Sequence, residues 1–402
     1  MSDPLRVRLS GPLREFGPGF VDELERQGYS PLGATLQMRL MARVSSRMQA
    51  EGLVCAQLSG DVVERVLAER RAAGRRDYVT ARAVAPLLAY LRKLGAVPSS
   101  PPVPPSTRAE MLGGRFRCYL IGERGLAEET ATGYVDAVMP FLAGLDDEQL
   151  DLRDLSADRV TAFVVARCPG QSRGAAKMTV TALRSLLGFL HVEGMIAESL
   201  AGAVPSVASW RLSGLPRFLE PDQARALLDS CDQQTGTGRR DLAILTLLLR
   251  LGLRAGEVAG LSLEDVDWRA GELVVLGKGR RAERLPLPVD VGEAISGYLR
   301  DGRPERALDR AVFVRVKAPR QRLSSGGVTQ VVVSAGRRAG LGQIHAHRLR
   351  HTAATSMLRA GAPLAEIGQV LRHREPMSTA IYAKVGRTAL SSIARPWPGA
   401  GA

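Results

Sequence analysis

The stretch "HAHRLRHTAATSML", residues 345–358, decides how this chain is read. It sets His347 three residues before Arg350 and four before His351, at the start of a predicted helix. A helix brings residues four apart onto one face, so His347 and His351 have the spacing of metal ligands. Between them stand Arg-Leu-Arg, without the glutamate of a HExxH site, and two guanidiniums beside a dication are electrostatically unfavourable. No metal and no cofactor is therefore expected. His351 reads as a structural hydrogen-bonder beneath Arg350, and His345 as solvent-facing.

Downstream, "VLRHREPMSTAIYAKV" (370–385) places Tyr382 nine residues after His373. Four of the five histidines lie between 345 and 373, and His191 is far away. Upstream, "LGLRAGEVAGLSLEDVDW" (251–268) carries Arg254 after an apolar helix, with Glu257 three residues on as its salt-bridge partner. "LGKGRRAERLPL" (276–287) puts Lys278 between two glycines at the tip of a predicted hairpin. Only five of the 55 basic residues are lysines, so a position that keeps lysine where arginine is the habit is informative.

Phosphodiester cleavage asks for this set of groups. Charge builds on two non-bridging oxygens, and two permanently charged planar guanidiniums clamp them. The leaving 5′-oxygen needs a proton from a group that titrates more readily than arginine, which lysine is. A tyrosine can attack phosphorus and store the bond energy as an ester, so resealing needs neither ATP nor metal. Histidines can manage its proton and bridge to phosphate.

Composition agrees. The chain has 402 residues, room for two or three domains, with 4% aromatics and an apolar content that suits packed helices. A formal charge of +14 points to a polyanionic partner, nucleic acid first, against the plainer explanation of arginine-rich composition. Four scattered cysteines without CxxC read as reduced thiols. The N-terminus lacks a signal peptide's apolar segment, and the longest apolar run, "LAILTLLL" (242–249), is too short to span a bilayer. No membrane is expected, and the location expected is cytoplasmic and nucleoid-associated.

"PSSPPVPPS" (98–106) has five prolines within eight residues, a semi-rigid spacer. The segments flanking it are alike. "LSGDVVERVLAERRAAG" from Leu58 parallels "LSADRVTAFVVARCPG" from Leu155, and "LLAYLRKLGAV" (87–97) parallels "LLGFLHVEGMI" (186–196). Phe20, Leu24, Gly28 and Thr35 match Phe116, Leu120, Gly125 and Thr132. A period near 97 residues implies two copies of one all-helical unit. A second boundary falls within 202–216, followed by a helix opening at Pro221, a buried helix over "RRDLAILTLLLRLGL", the hairpin, helices near 290–300 and 327–339, and the histidine-bearing helices.

Together the four islands resemble the signature of the tyrosine recombinase (phage integrase) family, a family related in its catalytic domain to type IB topoisomerases. Its order is Arg, Lys, His-x-x-Arg, His or Trp, then Tyr, with the nine-residue last gap. The resemblance covers roughly 215–385, and 108–200 resembles the family's helical core-binding domain. It implies Arg254, Lys278, His347, Arg350, His373 and the nucleophile Tyr382 as catalytic residues, with Glu257 and His351 supporting. With the repeat and the proline run, the expected organisation is a multidomain, mainly α chain: a helical module of the core-binding type (1–97), which is not part of the family's minimal pattern, a Pro-rich linker (98–107), a core-binding domain (108–204) and a mixed α/β catalytic domain with a C-terminal tail (215–402). The activity implied is site-specific recombination of double-stranded DNA through a 3′-phosphotyrosyl link, by a tetramer assembled on DNA, any accessory bending or directionality factor being unspecified. Lys177, Arg173, Arg280, Arg281 and Arg372 are candidate DNA contacts. Arg372 stands where the family usually has glycine, so its side chain is expected to point away or onto DNA. "RTALSSIA" (387–394) is expected as a short docking helix. A topoisomerase-like relaxing enzyme and a catalytically silent DNA-binding regulator are the alternatives.

Overall fold

The computed structural model describes residues 3–98, 105–207, 217–277, 281–305, 307, 309–372, 379, 381 and 382. Four helices come first: α1 (Gly17–Arg26), α2 (Pro31–Ala50), α3 (Gly60–Ala72) and α4 (Ala81–Lys93). Four more follow: α5 (Arg108–Gly122), α6 (Glu128–Asp147), α7 (Ala157–Arg167) and α8 (Arg173–Val192).

The two sets are built alike from the residues up. Ser59 and Ser156, the serines of the two "LS" motifs, are the N-caps of α3 and α7, each hydroxyl accepting the N3 amide. Gly28 and Gly125 end α1 and α5 in left-handed backbone, and Gly95 and Gly194 do the same after α4 and α8. Phe20 and Phe116 are fully buried, each in its own apolar core.

The remaining elements are α9 (Pro221–Asp229), α10 (Gly236–Arg250), α11 (Ala255–Gly260), β1 (Val266–Asp267), β2 (Glu272–Leu276), β3 (Ala282–Pro286), α12 (Val289–Asp301), α13 (Ser325–Arg338), α14 (Ala346–Arg359) and α15 (Leu364–Val370). The sheet is antiparallel in the order β1-β2-β3, and Leu273 and Val275 of β2 alternate inward while facing Leu285 and Glu283 across the ladder. Helix α10 is the axle: Ala243 to Leu248 are buried, and α12, α13 and α14 pack against it. Residues 1–99 and 212–402 form one compact unit, and 100–211 form the other. Within the first unit the Arg320 amide donates to the Gln27 carbonyl at 3.1 Å, joining the turn after α1 to the segment before α13. The expected helix at 387–394 lies outside the described residues. Among the described residues no helix is long and apolar enough to cross a membrane.

Leu247 lies fully buried at the centre of the α10 core. Leu247→Ala should destabilise the unit containing α10 by about 2–5 kcal/mol, read by urea unfolding, with the transition of residues 100–211 unmoved.

Candidate active site

The junction from α10 to α11 has to turn sharply. Gly252 does so at φ +58°, and a Cβ there would meet Leu371 Cδ2 at 2.5 Å. Arg254 follows in extended backbone as the N-cap of α11. Its amide donates to Glu257 Oε2 at 2.7 Å, and its Nη1 donates to Oε1 at 2.6 Å. One carboxylate three residues on thus caps the helix and fixes the guanidinium, as the spacing predicts. The Arg254 side chain stays 41% exposed, free to meet a ligand, while Glu257 is buried.

Helix α14 brings the histidine motif to the same place. Arg350, in its second turn, is buried and donates Nη1 to the Gly252 carbonyl at 2.5 Å and Nη2 to the Leu371 carbonyl. Burial, with Arg254 and Arg372 adding repulsion and Glu257 opposing, brings its pKa to about 10, still charged at neutral pH. Arg254, His347 and Arg350 line one open cleft of about 370 Å³. Ser325 and Thr329 of α13 and His345 complete that wall. The two hydroxyls escaped the sequence reading, since "SSGGVT" resembles any helix start.

Tyr382 is 1% exposed and packs with Ala354, Ile367 and Leu371. Its hydroxyl lies 2.9 Å from His351 Nδ1. Burial raises the phenol's pKa, with Arg350 partly offsetting, so the phenol is protonated. Burial, then His347 and Arg350, depress the His351 pKa to about 4, so its ring is neutral at pH 7. His347 stacks edge-on to His351 at 4.4 Å, its own pKa lowered by burial, Arg350 and Arg254. His351, expected as a structural hydrogen-bonder beneath Arg350, has the Tyr382 hydroxyl as its hydrogen-bond partner.

Arg372 also departs from expectation. It does not point away or face DNA: its side chain is 2% exposed, and its Nη2 donates to Glu257 Oε2 at 2.7 Å. Its left-handed backbone (φ +56°) accompanies this inward turn, toward the nearest buried anion. The structure therefore gathers Arg254, Glu257, His347, Arg350, His351, Arg372 and Tyr382. Lys278, Arg280 and His373 lie outside the described residues; the strands that bracket Lys278 form the predicted hairpin, closed by the Gly277 amide donating to the Arg281 carbonyl at 2.9 Å. Arg281 is exposed. Arg173 and Lys177, also exposed, sit one turn apart at the start of α8 in the other unit.

Between pH 6.5 and about 4 an unfolded His351 binds a proton that the folded ring does not, so stability rises with pH across this window and is lost on acidification through it. Thermal unfolding of the DNA-free protein should fall over that range, and His351→Gln should flatten the fall.

Comparison with known proteins agrees with this geometry. Residues 217–388 match the phage integrase family, and residues 114–194 match the SAM-like N-terminal domain of phage integrases. The integrase/recombinase designated y4rA of Sinorhizobium fredii is 39% identical over 97% of this chain and 95% of its own length. Tyrosine recombinase XerC of Bacillus pumilus is 30% identical over 71% of this chain and 95% of its own. The crystal structure of the XerH site-specific recombinase bound to palindromic difH substrate shares the fold at a TM-score of 0.56 and 17% identity, covering 99% of this chain and all of that one. This chain belongs to the phage integrase family, the tyrosine recombinases that break and rejoin DNA at defined sites.

Proposed function

We propose that Tyr382 attacks the scissile phosphate of double-stranded DNA, forming a phosphotyrosyl bond to the 3′ end while the bond to the 5′-oxygen breaks. Arg254 and Arg350 hold the two non-bridging oxygens, the phenol's proton passes to the histidines with His347 as acid/base, Lys278 protonates the departing 5′-oxygen, and His373 bonds the phosphate. A free 5′-hydroxyl of the partner strand reverses the step, so the cycle balances without an external energy source. The observation that carries this reading is the convergence of Arg254, His347 and Arg350 on one cleft, with the Tyr382 phenol held by the residue next to Arg350. Exchange requires two duplexes cut together, which favours a tetramer assembled on DNA, at work in the cytoplasm on the nucleoid. Family membership and the relatives favour recombination over relaxation or silent binding.

The modules would be 1–97, the linker 98–107, the core-binding domain 108–204 and the catalytic domain 215–402. Their charges differ. Residues 1–97 have fifteen Lys/Arg against ten Asp/Glu, net +5; residues 98–204 have ten against thirteen, net −3. In the first module a groove of about 870 Å³ is lined by Arg39, Arg43 and Arg47 of α2, by Arg70 and Arg75, and by Glu69, which pairs with Arg47. The matching positions of α6, 97 residues on, are Asp136, Pro140 and Gly144. This contrast supports the first module as a second grip on the DNA backbone.

On a nicked suicide substrate run on a denaturing gel, the wild-type chain should give a covalent adduct that Tyr382→Phe abolishes and that Arg254→Ala slows by about 10²–10³-fold. Survival of the adduct in Tyr382→Phe would discard the nucleophile. Replacing Arg39, Arg43 and Arg75 by alanine should lower the slope of log affinity against log salt by roughly 2–3, at about 0.9 per phosphate contact. An unchanged slope and footprint would make residues 1–97 a protein-interaction module instead.

A further inference from the structure

Arg372 precedes His373 in the chain, and the reaction above makes no use of it. Its backbone sits at φ +56°, a conformation that glycine adopts freely and arginine does not. Its Nε lacks a hydrogen-bond partner among the described residues. Glycine would avoid both penalties. What arginine supplies is a set of contacts: Nη2 to Glu257 Oε2 at 2.7 Å, and Nη1 to the Val370 carbonyl at 2.8 Å.

Those contacts lead to both clamp arginines. Glu257 Oε1 holds Arg254 Nη1, and the Arg372 carbonyl accepts Arg254 Nη2 at 3.4 Å. The adjacent Leu371 carbonyl accepts Arg350 Nη2. Both guanidiniums therefore rest on the turn that the Arg372 side chain anchors. Charge points the same way. A lone carboxylate beside Arg254 would weaken its pull on phosphate, whereas Arg254, Arg350 and Arg372 around Glu257 leave a net charge of +2 on these four residues. The transition state, with phosphorus five-coordinate, carries two negative charges on its non-bridging oxygens.

We propose that Arg372 is a positioning residue for Arg254: it holds Glu257 Oε2 so that Oε1 stays on Arg254, and it offsets the carboxylate's charge. This rests on the reading of Arg254 as a phosphate clamp. Because the second negative charge exists only in the transition state, the effect falls on cleavage rate and spares DNA affinity.

The experiment compares single-turnover cleavage of the nicked substrate at saturating protein, DNA affinity by gel shift, and thermal unfolding. Arg372→Gly, the residue suited to that backbone, should fold normally, bind DNA within about twofold of wild type and cleave roughly 10–100-fold more slowly, a smaller loss than that of a direct oxyanion donor. Arg372→Lys should recover part of the rate. In an Arg254→Ala background, Arg372→Gly should slow cleavage far less than it does alone, because its route through Arg254 is gone. Cleavage by Arg372→Gly at the wild-type rate, or equal slowing in the Arg254→Ala background, overturns the inference while the Tyr382-dependent adduct of the wild type stands. Absence of that wild-type adduct overturns the site reading, and this inference with it. If Arg372→Gly unfolds, Arg372→Met, which keeps the aliphatic stem, is held to the same outcomes.

Discussion

An ionised carboxylate taken out of water is costly unless charge and hydrogen bonds surround it, and the candidate site is organised around one such group. Burial would raise the Glu257 pKa, but the Arg254 amide, Arg372 and the Arg254 guanidinium together bring it below the ordinary carboxylate range. The group is therefore an anion whose two oxygens accept from the Arg254 amide and from the guanidiniums of Arg254 and Arg372. Arg254 takes its pose from that anion, α11 takes its first-turn cap from it, and Arg372 is turned inward by it. Removing the carboxylate would leave two guanidiniums repelling each other with nothing to set their direction.

A second constraint meets the first at the turn after α15. Leu371 and Arg372 offer their carbonyls to Arg350 and Arg254, and Leu371 fills the space beside Gly252 that a side chain at 252 would need. On its other face Leu371 packs with Tyr382 in a small apolar nest. The same residue thus meets both Arg350 and the small nest that holds Tyr382. The phenol is kept protonated and lies in hydrogen-bond contact with a neutral His351.

The two helical sets are alike in their turns and cores and unlike in their surfaces. Caps, left-handed glycines and buried aromatics recur because backbone geometry and core volume demand them. Helix faces open to solvent carry no such demand: arginines at 39, 43 and 47 face a groove where the second copy has Asp136, Pro140 and Gly144. The basic character expected from the chain's +14 is therefore distributed unevenly, with none of the excess in residues 98–204.

Sequence by itself determined what is local. The Arg254–Glu257 pair is a contact three residues long, the hairpin around Lys278 follows from alternation and glycines, and α10 and α14 follow from apolar periodicity and the spacing of His347, Arg350 and His351. The likeness of the two helical sets was legible because both keep the same cap and turn residues. Only tertiary structure decided the rest. Arg372 and Glu257 are 115 residues apart, and His351 and Tyr382 are 31 apart. No periodicity links such positions, since the choice between solvent and a buried anion is made by where separate helices converge. A surface arginine and an inward one carry the same letter; the packing of α11 against the turn after α15 tells them apart.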